Sequence, residues 1–295
     1  MKRVIRRRIP KPSVRTEDQD EAGKGGSVQS VDRAMALLEA LGEDEEGYRL
    51  TDLAIRTGLS PSTAHRLLTT LEQRKFVAFD RSDSMWHVGR QAFSVGAAFV
   101  RRRNIVAPAL PFLRRLRDLT HETANMGVAD DGEVVVLTQV ESREIMRAIS
   151  RVGGRAPMVA SGLGKAIIAT YSDAEVAAVI KRHGMPRLTP RSVVRAGELR
   201  GALDRVRAEG YAVDDEEFLT GLRCVASAVY NDQGEALGAI SVSGLSSRVA
   251  PGRLPELGRL VRETALELTL ALGGCAPRPE PLALAGAAIS IPNVK

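Results

Sequence analysis

The sequence predicts an α+β protein in two parts: an N-terminal winged helix-turn-helix, then linker helices, then a domain in which helices pack on an antiparallel sheet. Three observations predict it. Two helical segments and a third, capped one, GLSPSTAHRLLTTLE, precede a pair of short β-rich runs. Beyond residue 120 the apolar pattern turns strand-like, with the hairpin signal Asp130-Asp131-Gly132. The chain has 295 residues and is 44% hydrophobic, enough for two cores.

Each element follows from local chemistry. Residues 1–26 carry a basic cluster (Lys2, Arg3, Arg6, Arg7, Arg8, Lys11, Arg15) and read as a disordered tail able to attract phosphate without sequence preference. Residues 27–90 form the first domain. In SVQSVDRAMALLEAL the apolar residues Val31, Met35, Leu38 and Leu41 fall at helical spacing, and Thr51 caps a short helix closed by Gly58. Ser60-Pro61 then opens a helix as an N-cap followed by proline at the first position. Its apolar stripe is Ala64, Leu67, Leu68 and Leu71. Lys75 stands where the end of such a helix favours glycine, so either it takes a left-handed conformation or the helix ends differently. FVAFD and MWHVG, joined by RSDS, give a hairpin.

Residues 91–120 are read as linker helices, with Pro108 and Pro111 near the start of the second. Residues 121–274 make the larger domain: a hairpin around Asp130–Gly132, helices near 162–171, 173–183 and 196–209, the strands LRCVASAVY and ALGAISVSG, and a last helix near 251–273. Residues 275–295 are a Pro-rich tail.

Composition excludes several classes. No apolar run is long enough to span a membrane. The basic N-terminus lacks the apolar core of a secretory signal, and Cys224 and Cys275 form no disulfide framework, so a cytoplasmic location is expected. The four histidines show no metal-ligand spacing, so no metal is expected; SGLGKA meets neither the Walker A pattern nor the dinucleotide fingerprint, and no cofactor is expected. The net charge of +6 makes an anionic partner worth considering.

Two sets of residues carry candidate chemistry. The outward face of the helix from Pro61 presents Ser62, Thr63, His65, Arg66 and Thr69, with no acid. On the second helix of a helix-turn-helix such a face suits double-stranded DNA: Arg66 can bridge O6 and N7 of guanine, while the hydroxyls serve bases or phosphates. A solvated helix face is the plain alternative, and the order of capped helices and hairpin favours DNA. In the second domain Gly162 and Leu163 open a helix at SGLGKA, as a carboxylate site or as tight packing. Alternation puts Ser241 and Ser243 on one strand face, and Leu222 and Cys224 on a face of its neighbour. Small hydroxyl and thiol side chains there suit a small polar ligand. By composition, Asp214 in DDEEF is a solvated acid.

The run LTDLAIRTGLSPSTAHRLLTTLE, the wing FVAFD...WHVG, and SGLGKA, DDEEFLTGLRCVA and AISVSG in that order resemble the isocitrate lyase regulator (IclR) family of bacterial transcription regulators over about residues 27–273. The resemblance implies a winged-helix domain, a linker helix, a GAF-like effector-binding domain, and a dimer or dimer of dimers on operator DNA. A dimer would set two recognition helices about 34 Å apart. It further implies a small carboxylate effector, glyoxylate first, held by Gly162, Leu163, Asp214, Leu222, Cys224, Ser241 and Ser243, with Met146 as a further apolar wall. Asp214 would accept a hydrogen bond from a hydrated aldehyde or orient a water. A regulator of a glyoxylate-assimilation operon, such as the β-hydroxyaspartate pathway, is one identity it implies, and a sensor of aromatic acids is another. A Cys224-dependent enzyme with His121 or His183 as base lacks any recognisable motif, and a purely architectural DNA binder would leave the second domain without a task. No catalytic residue is therefore expected.

Overall fold

The computed structural model describes residues 28–44, 46–103, 105–144 and 151–277, without the side chains of 99–103. The basic tail, Met146 and the chain beyond 277 lie outside the described residues. Two compact units divide between Asn104 and Ile105.

The first unit contains α1 (Gln29–Gly42), α2 (Leu50–Thr57), α3 (Pro61–Gln73), β1 (Val77–Asp80), β2 (Met85–Val88) and α4 (Arg90–Arg103). Leu37, Leu41, Leu53, Leu68, Val77 and Trp86 form its core. On α1 the buried stripe is Ala34, Leu37, Leu38 and Leu41, whereas Val31 and Met35 are exposed. The expected stripe was out of phase because Ala34 serves as its first apolar position. Thr51 is not a cap: α2 begins two residues earlier than such a cap would set it, with Arg49 at the N-cap and no side-chain bond there. Ser60 does cap α3, its Oγ accepting from Thr63 N at 3.2 Å. Lys75 takes the left-handed conformation at φ 64°. The position that demands glycine is Gly89, where a Cβ would stand 2.4 Å from the Lys75 carbonyl oxygen. That carbonyl accepts from Gln91 N, tying the start of α4 to the turn after α3.

The second unit begins with α5 (Val106–Thr120), which buries Ala109, Leu113 and Leu116 against its sheet. Then come β3 (Thr123–Asp130), β4 (Glu133–Val140), β5 (Arg155–Pro157), α6 (Gly162–Ile168), α7 (Asp173–His183), α8 (Ala196–Glu209), β6 (Ala212–Asp215), β7 (Leu222–Tyr230), β8 (Ala236–Leu245) and α9 (Leu254–Ala271), the last preceded by a 3-10 turn at Pro251–Arg253. The antiparallel sheet has the order β5-β4-β3-β8-β7-β6. Asp131 and Gly132 both have positive φ, as a two-residue hairpin turn requires.

The sheet is covered on both faces. Met126, Val225, Ile240 and Val242 pack with α5 and α9, while Ala226 and Ala239 pack with α6, α7 and α8. α6 ends at Ile168, three residues short of expectation, and runs across the sheet just where its small and polar residues gather.

Candidate functional site

In the first unit, Ser62, His65, Arg66 and Thr70 are exposed on α3, and Thr63 and Thr69 are half-buried. The N-cap hydroxyl donates to Thr63 Oγ1. Thr69 Oγ1 donates to the His65 carbonyl and Thr70 Oγ1 to that of Arg66, each at 2.9 Å. Those two threonines therefore spend their single proton on the helix and offer lone pairs outward, as acceptors. Arg66 supplies the donors of this face.

In the second unit, strand register assembles a polar cluster. Asp214 on β6 pairs with Cys224 on β7, Cys224 with Ser243 on β8, and Ser243 with Thr123 on β3. One row along, Ala226 pairs with Ser241, Ser241 with Asn125, and Asn125 with Gln139 on β4. Residues paired across strands share a face, and two residues along a strand return to it, so both rows point toward α6. Gly162 sits over Cys224, where a Cβ would stand 2.8 Å from Sγ, and a Cβ on Gly164 would stand 2.3 Å from the Met158 backbone. Both glycines are therefore required by packing. Ser161 caps this turn, accepting from Gly164 N at 3.1 Å.

From α6 the side chain of Lys165, 2% exposed, reaches down to a carboxylate oxygen of Glu217. Glu217 follows Glu216, a residue held at φ 62° by its own carboxylate on Gly221 N (2.8 Å). Asp214 Oδ1 accepts from Glu217 N at 2.8 Å and from Phe218 N at 3.3 Å. Asn125 Nδ2 donates to Ser243 Oγ at 3.2 Å and to Ser241 Oγ at 3.4 Å. Three buried oxygens stay without a partner among the described residues: Asn125 Oδ1, Gln139 Oε1 and Glu217 Oε2.

Burial pushes the Asp214 carboxyl from its ordinary value near 3.8 up to about 7, with Lys165 opposing the rise. The Cys224 thiol is pushed up to about 11, first by burial and then by the Asp214 charge. A thiol held that far above neutrality is a poor nucleophile. The histidines lie elsewhere: His183 packs on the Asp131-Gly132 turn, and His121 caps α5 in the left-handed conformation.

The structure thus brings Gly162, Asp214, Cys224, Ser241 and Ser243 together. Leu222 lies two residues from Cys224 at the edge of the same face, and Leu163 is buried on α6 against Gly127. Asp214 is only 2% exposed, so its acidic neighbours do not make it a solvated residue. Sequence reasoning missed Asn125, Lys165 and Glu217. Asn125 was the most accessible of the three: a lone amide in TANMGVAD shares a strand face with Thr123 and Gly127. Lys165 and Glu217 carry no comparable signal, since a lysine in a helix and a glutamate in an acidic run are ordinarily solvated.

A family model described as the IclR helix-turn-helix domain matches residues 30–81, and one described as the C-terminal part of bacterial transcriptional regulator IclR matches residues 97–270. The chain is 41% identical to the acetate operon repressor of Salmonella typhimurium, over 84% of this chain and 92% of that protein. It is 40% identical to the transcriptional repressor IclR of Escherichia coli, over 90% and 95%. The crystal structure of an IclR transcriptional regulator from Alicyclobacillus acidocaldarius aligns with a TM-score of 0.71 at 26% identity, covering 84% of this chain and all of that one.

Proposed function

The chain belongs to the IclR family of bacterial transcriptional regulators, and from that premise we propose that it is a repressor whose hold on operator DNA is changed by a small 2-oxo acid, glyoxylate first, bound in the cluster beneath α6. Repression is supported by the names of two relatives near 40% identity, both repressors. On DNA, α3 enters the major groove with Arg66 on guanine, and Ser62, Thr63, His65 and Thr69 serve neighbouring bases or phosphates. Two copies of the chain supply the two recognition helices. Glyoxylate acts by favouring one arrangement of those helices over another, and only its differential affinity for the two can do so.

The cluster itself carries the effector half of this reading. Buried polar groups are normally paired; here unpartnered oxygens, two serines and a lysine gather beneath α6. The small side chains at Gly162, Cys224, Ala226 and Ala239 suit a two- or three-carbon acid better than an aromatic ring. Ser241, Ser243 and Lys165 would hold the carboxylate, with Asp214 and Cys224 beside it.

The two halves separate by mutation. Arg66→Ala should weaken specific operator binding by roughly tenfold or more while glyoxylate affinity stays unchanged. Ser241→Ala/Ser243→Ala should do the reverse, leaving operator binding intact and insensitive to glyoxylate. Equal losses of both activities in either variant would refute the division.

A further inference from the structure

The donors and acceptors of the cluster do not balance, and the imbalance describes the ligand. Asn125 is 1% exposed, and one end of its amide donates to both serines. A serine that accepts from Asn125 keeps its own proton to give, so both hydroxyls are set as donors, with the Cys224 sulfur as their acceptor within the protein. The other end of the amide, Oδ1, has no partner among the described residues, and neither has Oε2 of Glu217, whose Oε1 faces Lys165. A bare carboxylate satisfies the serines and the lysine but brings nothing to those two oxygens. Leaving buried acceptors unpaired costs more than a hydrogen bond gains.

We infer that the cluster selects acids that carry their own hydroxyl or N–H donors beside the carboxylate, with Asn125 and Glu217 as the specificity-determining acceptors, so that glyoxylate binds as its hydrated gem-diol. This rests on the effector reading above and goes beyond it in naming Asn125 and Glu217 as the groups that select the hydrated form. Hydration is ordinary solution chemistry for an aldehyde next to a carboxylate. A water oxygen bonds to the aldehyde carbon, the carbonyl π bond breaks, and a water proton passes to the former carbonyl oxygen, with no oxidant or reductant. The product bears two hydroxyls on the carbon next to the carboxylate, one to offer Asn125 Oδ1 and one to offer Glu217 Oε2. A ketone such as pyruvate offers another acceptor instead. Covalent capture by Cys224 is the rival route to a tetrahedral carbon, and burial of that thiol keeps it protonated.

Calorimetry on the full chain with glyoxylate, glycolate, oxamate, pyruvate and acetate tests the selection. Donor-bearing acids should bind roughly tenfold tighter or more than pyruvate and acetate. Asn125→Leu should bring that ratio close to one. Glu217→Gln, which keeps the volume and replaces one acceptor by a donor, should do the same if the leucine variant fails to fold. Pyruvate binding as tightly as glyoxylate, with both lost in Ser241→Ala/Ser243→Ala, would overturn the donor inference and leave the site standing. No acid binding to folded protein would overturn the effector reading and this inference together. Carbon NMR with glyoxylate labelled at the aldehyde position reads the bound species directly. A tetrahedral carbon present in both wild type and Cys224→Ser is the expected result. A trigonal carbon, or a tetrahedral signal lost in Cys224→Ser while glycolate still binds, would overturn it.

Discussion

Replacing Asp214 by Asn should change how the stability of the second unit depends on pH. The native carboxyl titrates at about 7 against an ordinary value of 3.8. Because the folded-state value lies above the unfolded one, the folded protein holds a proton that the unfolded chain releases across this window. Asp214 is therefore most favourable to folding below pH 3.8, and its contribution is lost as pH rises through 7. The shift corresponds to a few kcal/mol in all, at about 1.4 kcal/mol per pH unit. Asparagine keeps an oxygen for the Glu217 and Phe218 N–H groups and cannot ionise. Urea unfolding followed by far-UV circular dichroism at pH 5, 6, 7 and 8, at fixed protein concentration, gives the stability of both proteins. The variant should gain on the wild type by roughly 1 kcal/mol per unit between pH 5 and 7, with the difference levelling off above 7. A difference that stays flat from pH 5 to 8, or that shrinks as pH rises, would mean that Lys165 keeps Asp214 ionised and that burial is not the ruling effect.

Other substitutions probe the framework around the two sites. Gly164→Ala should destabilise the second unit by about 2 kcal/mol or more, since the new Cβ meets the Met158 backbone, which cannot step aside; a shift in urea midpoint measures it. Glu122→Ala should cost about 3 kcal/mol: this carboxylate is 1% exposed and takes two hydrogen bonds at 2.7 Å from Arg248. Gly244→Ala should be less harmful in that background, because its Cβ would stand 2.5 Å from Glu122 Oε2; a double-mutant cycle reads the difference. Lys75→Gly should stabilise the first unit by up to about 1 kcal/mol by relieving the left-handed φ, monitored through the single tryptophan, Trp86.

Local chemistry made much of the fold legible. The ends of α7 and α8, the Asp131-Gly132 turn, the wing and the cap at Ser60 all follow from residues next to one another in sequence. The phase of α1 did not, because Ala34 and Val31 compete for one end of the stripe, and packing against α2 and α3 decides between them. The candidate site divides in the same way. Alternation alone places Ser241 and Ser243 on one face, but the partnership of Asn125 with those serines spans 118 and 116 residues and needs the β3–β8 register. Lys165 and Glu217 meet only because α6 crosses the sheet and the strained turn at Glu216 folds Glu217 inward. No local pattern encodes that meeting. The glycines of SGLGKA illustrate the limit of a motif: both are demanded by contact with Cys224 and Met158, whatever else the loop does.

The measurement closest to the central claim is a calorimetric titration of the whole protein with glyoxylate, repeated on Ser241→Ala/Ser243→Ala, with operator affinity measured with and without the acid. Saturable binding that the double variant loses, together with an operator response lost in parallel, is the predicted result. An operator response to glyoxylate that survives the loss of both serines would contradict it.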